Sequence, residues 1–371
     1  MCVDNRLIYS WCICIFLFVA CTSEARDTKP LIWDLNKLEQ MRENLTTDEV
    51  RVIIGDADRY CMQAPVVITD NKMLFQPNNH YYCSVGQYWW PDSLQNGKYV
   101  NKDGEINPES REYDIVRLED LSKRCSTLSQ AFYLTRDTKY YRAFIEQLDA
   151  WFLNKETLML PNFEYAQVVP GYHDNKGRSA GMIDAYYFNS VIEGIRLVNG
   201  VKRIDGKTLN AVRRWFRSFA DWSEYTHGDV MKTGTQNISL AYDVMVVNMY
   251  LFAGKIKKAK KIADDFAARR IYTQIKDDGS QPEELKRTNA MTYSLYNLTH
   301  ILDFCYLVRY WDKDYYSKYG ERIDTAFSYL QKYIDHPDAF PYQQIRQWKS
   351  CQNTFNVQNK RREVIKSLAS N

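Results

Sequence analysis

From residue 118 to residue 334 the chain keeps returning to one pattern: apolar side chains three and four positions apart, in segments several helical turns long. Leu118, Leu121, Cys125, Leu128 and Phe132 hold this spacing until Thr135-Arg136-Asp137 ends it. Tyr141, Phe144, Leu148 and Trp151 then take it up again. Such spacing lines one face of a helix with apolar groups and leaves the rest polar. Helices are predicted over 184–198, 208–225, 235–253, 257–270, 290–311 and 320–334, with a helical lead-in over 22–60 that carries Thr47-Asp48 as a cap. Strand signals are weak, and 15 Gly and 10 Pro in 371 residues disfavour an all-β sandwich. Short turns join the helices except at two irregular stretches, 61–113 and 160–184. Loops of this length in a compact domain usually carry function. The pattern predicts an all-α chain folded as an incomplete α/α toroid, with the two long loops lining a cleft at one open end.

Charge excludes one class of partner. With 49 basic against 46 acidic residues the formal net charge is +3, which leaves no global field for nucleic acid. Aromatics are heavy (28 Tyr, 16 Phe, 9 Trp), and both carbohydrate clefts and large helical cores use such side chains. At the N-terminus Arg6 precedes the run "WCICIFLFVA", too short to span a bilayer and fit for the apolar region of a signal peptide. "FVAC" resembles a lipobox, with Phe18 where Leu is usual. The expectation is a lipoprotein signal over 1–20, lipid on Cys21 as the link to a membrane, a single domain over 21–371, and a periplasmic or outer-membrane location. A plain secretory signal is the competing reading. Without Cys2, Cys12, Cys14 and Cys21, five cysteines remain (Cys61, Cys83, Cys125, Cys305, Cys351), none in C-x-x-C spacing. No metal site and no cofactor are expected. Cys125 and Cys305 fall within apolar stripes and read as small core residues.

The stretch "DDGSQPEELKRTNAMTYSLYNL" (277–298) concentrates several signals. Gly279 and Ser280 break the chain; Pro282, Glu283 and Glu284 suit the first turn of a short helix. Arg287 and Thr288 close that turn, and a second helix opens near Tyr293. Leu295, Leu298, Leu302 and Cys305 form its apolar stripe. Tyr293, Asn297, His300 and Phe304 lie opposite and read as a cleft wall. The plain alternative for Tyr293 is a packed phenol with a satisfied hydroxyl. On one continuous helix Arg287 and Tyr293 would face about 240° apart, so only a break at Thr288 lets the guanidinium reach the phenol.

Six stretches resemble, in order, the alginate-lyase family of bacterial uronate polysaccharide lyases: "YWWPD" (88–92), "DGEINPES" (103–110), "AWFLNKETLMLPNFEYAQVVPG" (150–171), "GMID" (181–184), "QNISLAYD" (236–243) and "DGSQPEELKRTNAMTYSLYNL" (278–298). The resemblance implies an α/α toroid and β-elimination across a 1,4-linked uronate, with alginate, polymannuronate or a glucuronan as the anionic polysaccharide partner. It also implies that Tyr293 takes the C5 proton, protonates the leaving oxygen, or both, and that Arg287 and Asn237 neutralise the carboxylate. One departure stands out: where the family usually has a histidine after the asparagine, this chain has Ile238.

Loop residues complete the predicted site. Gln167, Arg178, His80, Tyr81, Tyr82, Trp89, Trp90 and His173 could grip an anionic sugar by hydrogen bonds, charge and stacking. Loop packing and solvated charge would explain the same residues. His227 sits in "THGD", expected to end a helix. "KIKKAKK" (255–261) is a solvated helix face, and the polar, basic tail after Cys351 suggests no function. Two rivals remain: a glycan-binding lipoprotein that keeps the cleft without turnover, and a toroidal glycoside hydrolase. The latter would need two carboxylates across the cleft, with Asp114, Glu164 and Asp184 available.

Overall fold

The computed structural model describes residues 28–369; the expected leader (1–20) and Cys21 lie outside them. The α-helices longer than three residues, in chain order, are α1 (Leu35–Glu43), α2 (Asp48–Cys61), α3 (Ile115–Thr135), α4 (Thr138–Phe152), α5 (Phe188–Val201), α6 (Gly206–Thr233), α7 (Asn237–Phe252), α8 (Ile256–Ala263), the short α9 (Pro282–Leu285), α10 (Ala290–Val308), α11 (Tyr315–Ile334) and α12 (Trp348–Ala369). Their starts are legible in composition. Asp34, Thr47, Asp137 and Asp205 each accept a hydrogen bond from a backbone N–H two or three residues on. Such N-caps are worth about 1 kcal/mol each.

Two kinds of helix build the layers. In α6 the buried stripe runs Leu209, Val212, Trp215, Phe216, Phe219, Ala220, Ser223, His227 and Met231, with polar residues elsewhere. By contrast α5, α7 and α10 are buried nearly all round, and in α7 only Ile238 escapes full burial. One-sided helices belong outside a layered fold and all-apolar ones inside. Accordingly α3, α5, α7 and α10 follow one another by direct contact as the inner layer, while α2, α4, α6, α8 and α11 pack against them from outside. The architecture is the incomplete α/α toroid that the periodicity predicts. Part of the aromatic excess fills its core: Phe152, Phe163, Phe188, Trp215, Phe216 and Phe219 cluster with ring centroids 4.8–6.3 Å apart. Cys125 and Cys305 are fully buried within the same core.

The structure corrects the sequence reading in three places and adds one helix that the spacing does not predict. The long loops hold four short strands: β1 (Cys83–Val85), β2 (Trp89–Asp92), β3 (Lys98–Asn101) and β4 (Tyr165–Val168). β2 and β3 form an antiparallel hairpin, and β1 lies parallel to β4. Three or four residues are too few for an alternating pattern to register. Helix α6 continues through Thr226-His227-Gly228-Asp229 to Thr233 because its buried stripe continues through His227 and Met231. The polar tail is helix α12, which buries only Cys351, Phe355, Gln358 and Ile365. Finally, the side of α10 opposite its leucines is interior: Asn297, His300 and Phe304 are all buried, and Phe304 stacks on Phe266.

Buried polar contacts tie the chain ends to the inner layer. Glu193 of α5 accepts hydrogen bonds from the backbone N–H groups of Leu31, Ile32 and Trp33 at 2.7, 2.6 and 3.2 Å. Its other oxygen pairs with Arg196, which also reaches Asn248 of α7. From α12, Arg361 pairs with Asp303 of α10 at 2.5 Å and donates to the Ile32 carbonyl at 3.3 Å.

Candidate active site

Between α9 and α10 the helical path breaks over Arg287, Thr288 and Asn289. This break turns Arg287 back over the first turn of α10, with its guanidinium carbon 3.8 Å from the centroid of the Tyr293 ring. Stacking of this kind is worth about 0.5–2 kcal/mol and fixes both groups. The hairpin β2–β3 supplies the next contact. Asp103, just past β3, receives Nε of Arg287 at 3.1 Å on each oxygen and Nη2 at 2.5 Å on Oδ1. It also receives the Thr288 N–H at 3.0 Å. Gly104 permits the approach: its φ is +78°, and a Cβ there would lie 2.3 Å from the Thr288 hydroxyl. From the loop before β2, the Tyr88 hydroxyl accepts a 2.7 Å hydrogen bond from the Tyr293 hydroxyl.

Asn237 is the first residue of α7. Its backbone N–H and its side-chain Nδ2 donate to the two oxygens of Glu284, both at 2.7 Å. Glu284 belongs to α9, three residues before Arg287, and its carbonyl accepts the Arg287 N–H. One short segment therefore braces Asn237 and presents Arg287.

A second polar group lies along β4. Between paired positions Cys83 and Val85 there is one residue, Ser84, but between their partners Tyr165 and Val168 there are two. The extra residue makes a bulge, and Gln167 within it takes φ +50°. Bulges of this kind re-aim a side chain at the cost of local strain. Gln167 donates from Nε2 to Asp184 at 2.8 Å, and its N–H meets the Ser84 hydroxyl at 2.8 Å. Arg178 donates Nε to the Gln167 carbonyl at 3.1 Å and lies 5.4 Å from the Trp89 ring centroid. Trp89 follows Tyr88, so this group adjoins the Tyr293 group.

Electrostatics follow from burial and partners. Burial, then the Tyr88 hydroxyl, raise the Tyr293 phenol well above its ordinary value, and the Arg287 charge only partly opposes them. The guanidinium pulls toward phenolate, but desolvation outweighs it. The resting residue is a neutral phenol. Burial pushes Asp103 up, yet the bonds from Arg287 and Thr288 prevail and hold it below the usual carboxylate range. Glu284 is raised by burial, against the bonds from Asn237.

The remaining predicted residues are placed as follows. Tyr82 is corrected outright: it is 1 % exposed, stacks on Phe163 and donates to Asp184, so no ring face is left for a sugar. His80 holds the Leu158 carbonyl at 2.7 Å through Nδ1, and Tyr81 packs edge-on against Tyr165. The Trp90 indole donates to the Glu105 carbonyl, with Lys102 over its ring. His173 is exposed in a left-handed turn beside Tyr172, which contacts Trp89. Asp184 is saturated by Tyr82, Ser84 and Gln167; Asp114 accepts the Cys83 N–H; Glu164 pairs with Lys176. These carboxylates are each engaged in separate structural contacts, which removes the basis for the hydrolase reading. His227 hydrogen-bonds Ser179 through Nδ1 at 3.1 Å. Ile238 is half-buried against the core. Among the described residues no group of three His, Cys, Asp or Glu side chains is arranged to hold a metal ion.

Tyr88, Asp103 and Glu284 were not singled out as site residues. The first two lie in the stretches "YWWPD" and "DGEINPES", and Glu284 read as a helix-start acid. Each acts through a partner distant in sequence or across an element boundary, which local spacing cannot reveal.

Known proteins resemble the chain in sequence and in fold. The sequence profile of the alginate lyase family matches residues 68–340. An alginate lyase from Bacteroides ovatus is 31 % identical, superposes with a TM-score of 0.86, and the match covers 92 % of this chain and 95 % of that one. A variant of alginate lyase A1-III complexed with a tetrasaccharide shares the fold at 14 % identity and a TM-score of 0.50, over 93 % of this chain and 81 % of that one. No curated protein sequence matches the chain.

Proposed function

This chain belongs to the alginate lyase family and is a polysaccharide lyase; from that premise we propose that it cleaves 1,4-linked mannuronate or glucuronate polymers, with Tyr293 moving the proton. Related lyases are named for alginate, and one holds a tetrasaccharide. In the reaction the C5–H bond breaks, its electron pair forms C4=C5, and the C4–O4 bond breaks as O4 takes up a proton. While the neighbouring carboxylate is charged, C5–H is barely acidic, so the developing dianion must be held by donors. Such preorganised stabilisation is commonly the largest catalytic contribution.

The observation that carries the reading is that Arg287 stacks on Tyr293 at the break in the helical path, while Glu284, three residues before Arg287, holds Asn237. Arg287 keeps its Nη1 edge for a substrate carboxylate while Asp103 holds the other. Asn237 keeps one side-chain N–H beyond the one given to Glu284. Tyr293 needs its proton removed before it can act as base, and each pKa unit of that shift is about 1.4 kcal/mol. The Tyr88 hydroxyl, 2.7 Å away, can turn and donate to the phenolate. Ile238 has no proton to exchange. One tyrosine can serve both steps only when C5–H and O4 leave from the same face, which favours syn elimination over the anti course that guluronate requires.

The test is the initial rate of ultraviolet absorbance, which reports the conjugated double bond, on polymannuronate, polyglucuronate and polyguluronate. Rapid cleavage of polyguluronate overturns the stereochemical proposal. A bound oligosaccharide without absorbance on any polymer overturns the catalytic one. Lipid on Cys21 and a periplasmic or outer-membrane location belong to the same proposal, supported by "FVAC"; labelled fatty acid that never enters the protein would refute the anchor, and protein found only in the cytoplasmic fraction would refute the location.

A further inference from the structure

We infer that Glu284 is a positioning residue for the elimination, locking the Asn237 amide so that one N–H faces the uronate carboxylate. The inference rests on the assignment of Asn237 to the site. An asparagine amide can flip at little expense, exchanging a donor for an acceptor, and an acceptor facing a carboxylate would repel it. Here the flip is blocked. Glu284 receives both the Asn237 backbone N–H and Nδ2 at 2.7 Å, so a flipped amide would set Oδ1 against a carboxylate oxygen. The nitrogen stays toward Glu284, and its second hydrogen points in a direction set by the planar amide.

The same carboxylate sits at the N-terminus of α7, where four backbone N–H groups lack helical partners, and it satisfies that of Asn237. Glu284 is 2 % exposed, and each of its oxygens accepts a hydrogen bond from Asn237. Its main chain accepts the Arg287 N–H, so one residue sets the spacing between the two carboxylate-binding groups. Its negative charge opposes a developing dianion, which makes it a poor residue for this place unless orientation matters more than charge. The charged groups facing it are Arg287, which favours its ionised form, and Glu283, which disfavours it; burial raises its pKa above the usual glutamate value. Protonation would leave one acceptor oxygen fewer for Asn237, so kcat/KM should fall on the acid side through this group.

The experiment measures kcat, KM and the pH profile for wild type, Glu284→Gln, Asn237→Ala and the double variant, with a thermal melt of each. Glu284→Gln should lower kcat by about 10- to 100-fold, less than the 10²–10³-fold typical of deleting such a donor. Its acid limb should flatten, and the double variant should be no slower than Asn237→Ala. Wild-type kcat in Glu284→Gln, or additive losses in the double variant, would overturn the inference. If Asn237→Ala turns over normally, the assignment of Asn237 fails and the inference fails with it. Should Glu284→Gln not fold, the profiles of wild type and Asn237→Ala still decide: an acid limb lost in Asn237→Ala supports the brace, and an unchanged limb refutes it.

Discussion

A phenol stacked under a guanidinium and hydrogen-bonded to a second phenol has little volume to lose and one function to lose. Tyr293→Phe removes the hydroxyl that meets Tyr88 and keeps the ring under Arg287. Turnover should drop by at least about 10²–10⁴-fold, the usual worth of positioned proton transfer, with oligouronate binding largely kept. Near-normal turnover, followed by ultraviolet absorbance, would remove Tyr293 from the chemistry. Ile238→His tests the neighbouring position, which adjoins Asn237 and is half-buried. A histidine there adds a second proton acceptor, so the rate on polyguluronate should rise relative to polymannuronate. An unchanged ratio counts against the stereochemical argument. Chelators should leave activity intact, because Arg287 and Asn237 supply positive charge and donors where a cation otherwise would. Loss in EDTA with recovery on added Ca²⁺ would contradict that. Tyr293, Arg287 and Asn237 are named from the sequence because the resemblance gives those motif positions a role, and it gives none to Tyr88 and Asp103, which lie in motif stretches as well. Their contacts with Tyr293 and Arg287 join residues 205 and 184 positions apart, which local spacing cannot show.

At the scale of elements, the hairpin β2–β3 matters because it reaches into the break between α9 and α10. Asp103 and Gly104 make the connection, and Gly104 is the tightest point. It combines φ +78° with an approach that would put a Cβ 2.3 Å from the Thr288 hydroxyl and 2.5 Å from Asn289 Nδ2. Gly104→Ala meets both strain and contact, so the loop must shift and Asp103 must loosen its hold on Arg287. The left-handed conformation alone is worth roughly 1–2 kcal/mol against a residue with a Cβ. The expected result is a large fall in kcat/KM with an unchanged helical circular-dichroism spectrum, because Trp89, Trp90, Tyr99 and Val100 of the hairpin lie outside the main hydrophobic core that holds the inner layer. Full activity would mean that Arg287 does not depend on Asp103. The helices were readable from spacing because a stripe repeated over several turns is redundant; one ambiguous residue does not erase it. The strands were not, since three residues offer a single alternation. Helix α12 escaped notice for the opposite reason: 22 residues bury only four side chains, so its periodicity is diluted by charge.

On the scale of the whole molecule, the inner layer is held to the chain ends by buried polar groups, and its stability should depend on them more than on the site. Glu193 is the clearest case. It is fully buried, gathers three backbone N–H groups from Leu31, Ile32 and Trp33, and pairs with Arg196, itself 1 % exposed. Sequence could not mark it, because a glutamate inside an apolar helix looks the same whether it meets solvent or a strap from residue 31. Glu193→Gln keeps the shape and one acceptor oxygen but leaves the Arg196 guanidinium buried without its counter-charge. Removing one member of a buried pair is destabilising by about 3–5 kcal/mol, whereas replacing both with apolar groups can be neutral. The single variant should therefore unfold at markedly lower urea, and Glu193→Leu with Arg196→Met should recover part of the loss. Hydrogen exchange should quicken most at Leu31, Ile32 and Trp33 in the double variant, where leucine leaves these N–H groups no acceptor, and less in Glu193→Gln, which keeps one oxygen for them. None of these contacts involves Tyr293, Arg287 or Asn237, so kcat below the unfolding range should stay within about twofold, as expected for independent sites. An unchanged urea midpoint in Glu193→Gln would show that the strap and the inner layer hold without this carboxylate.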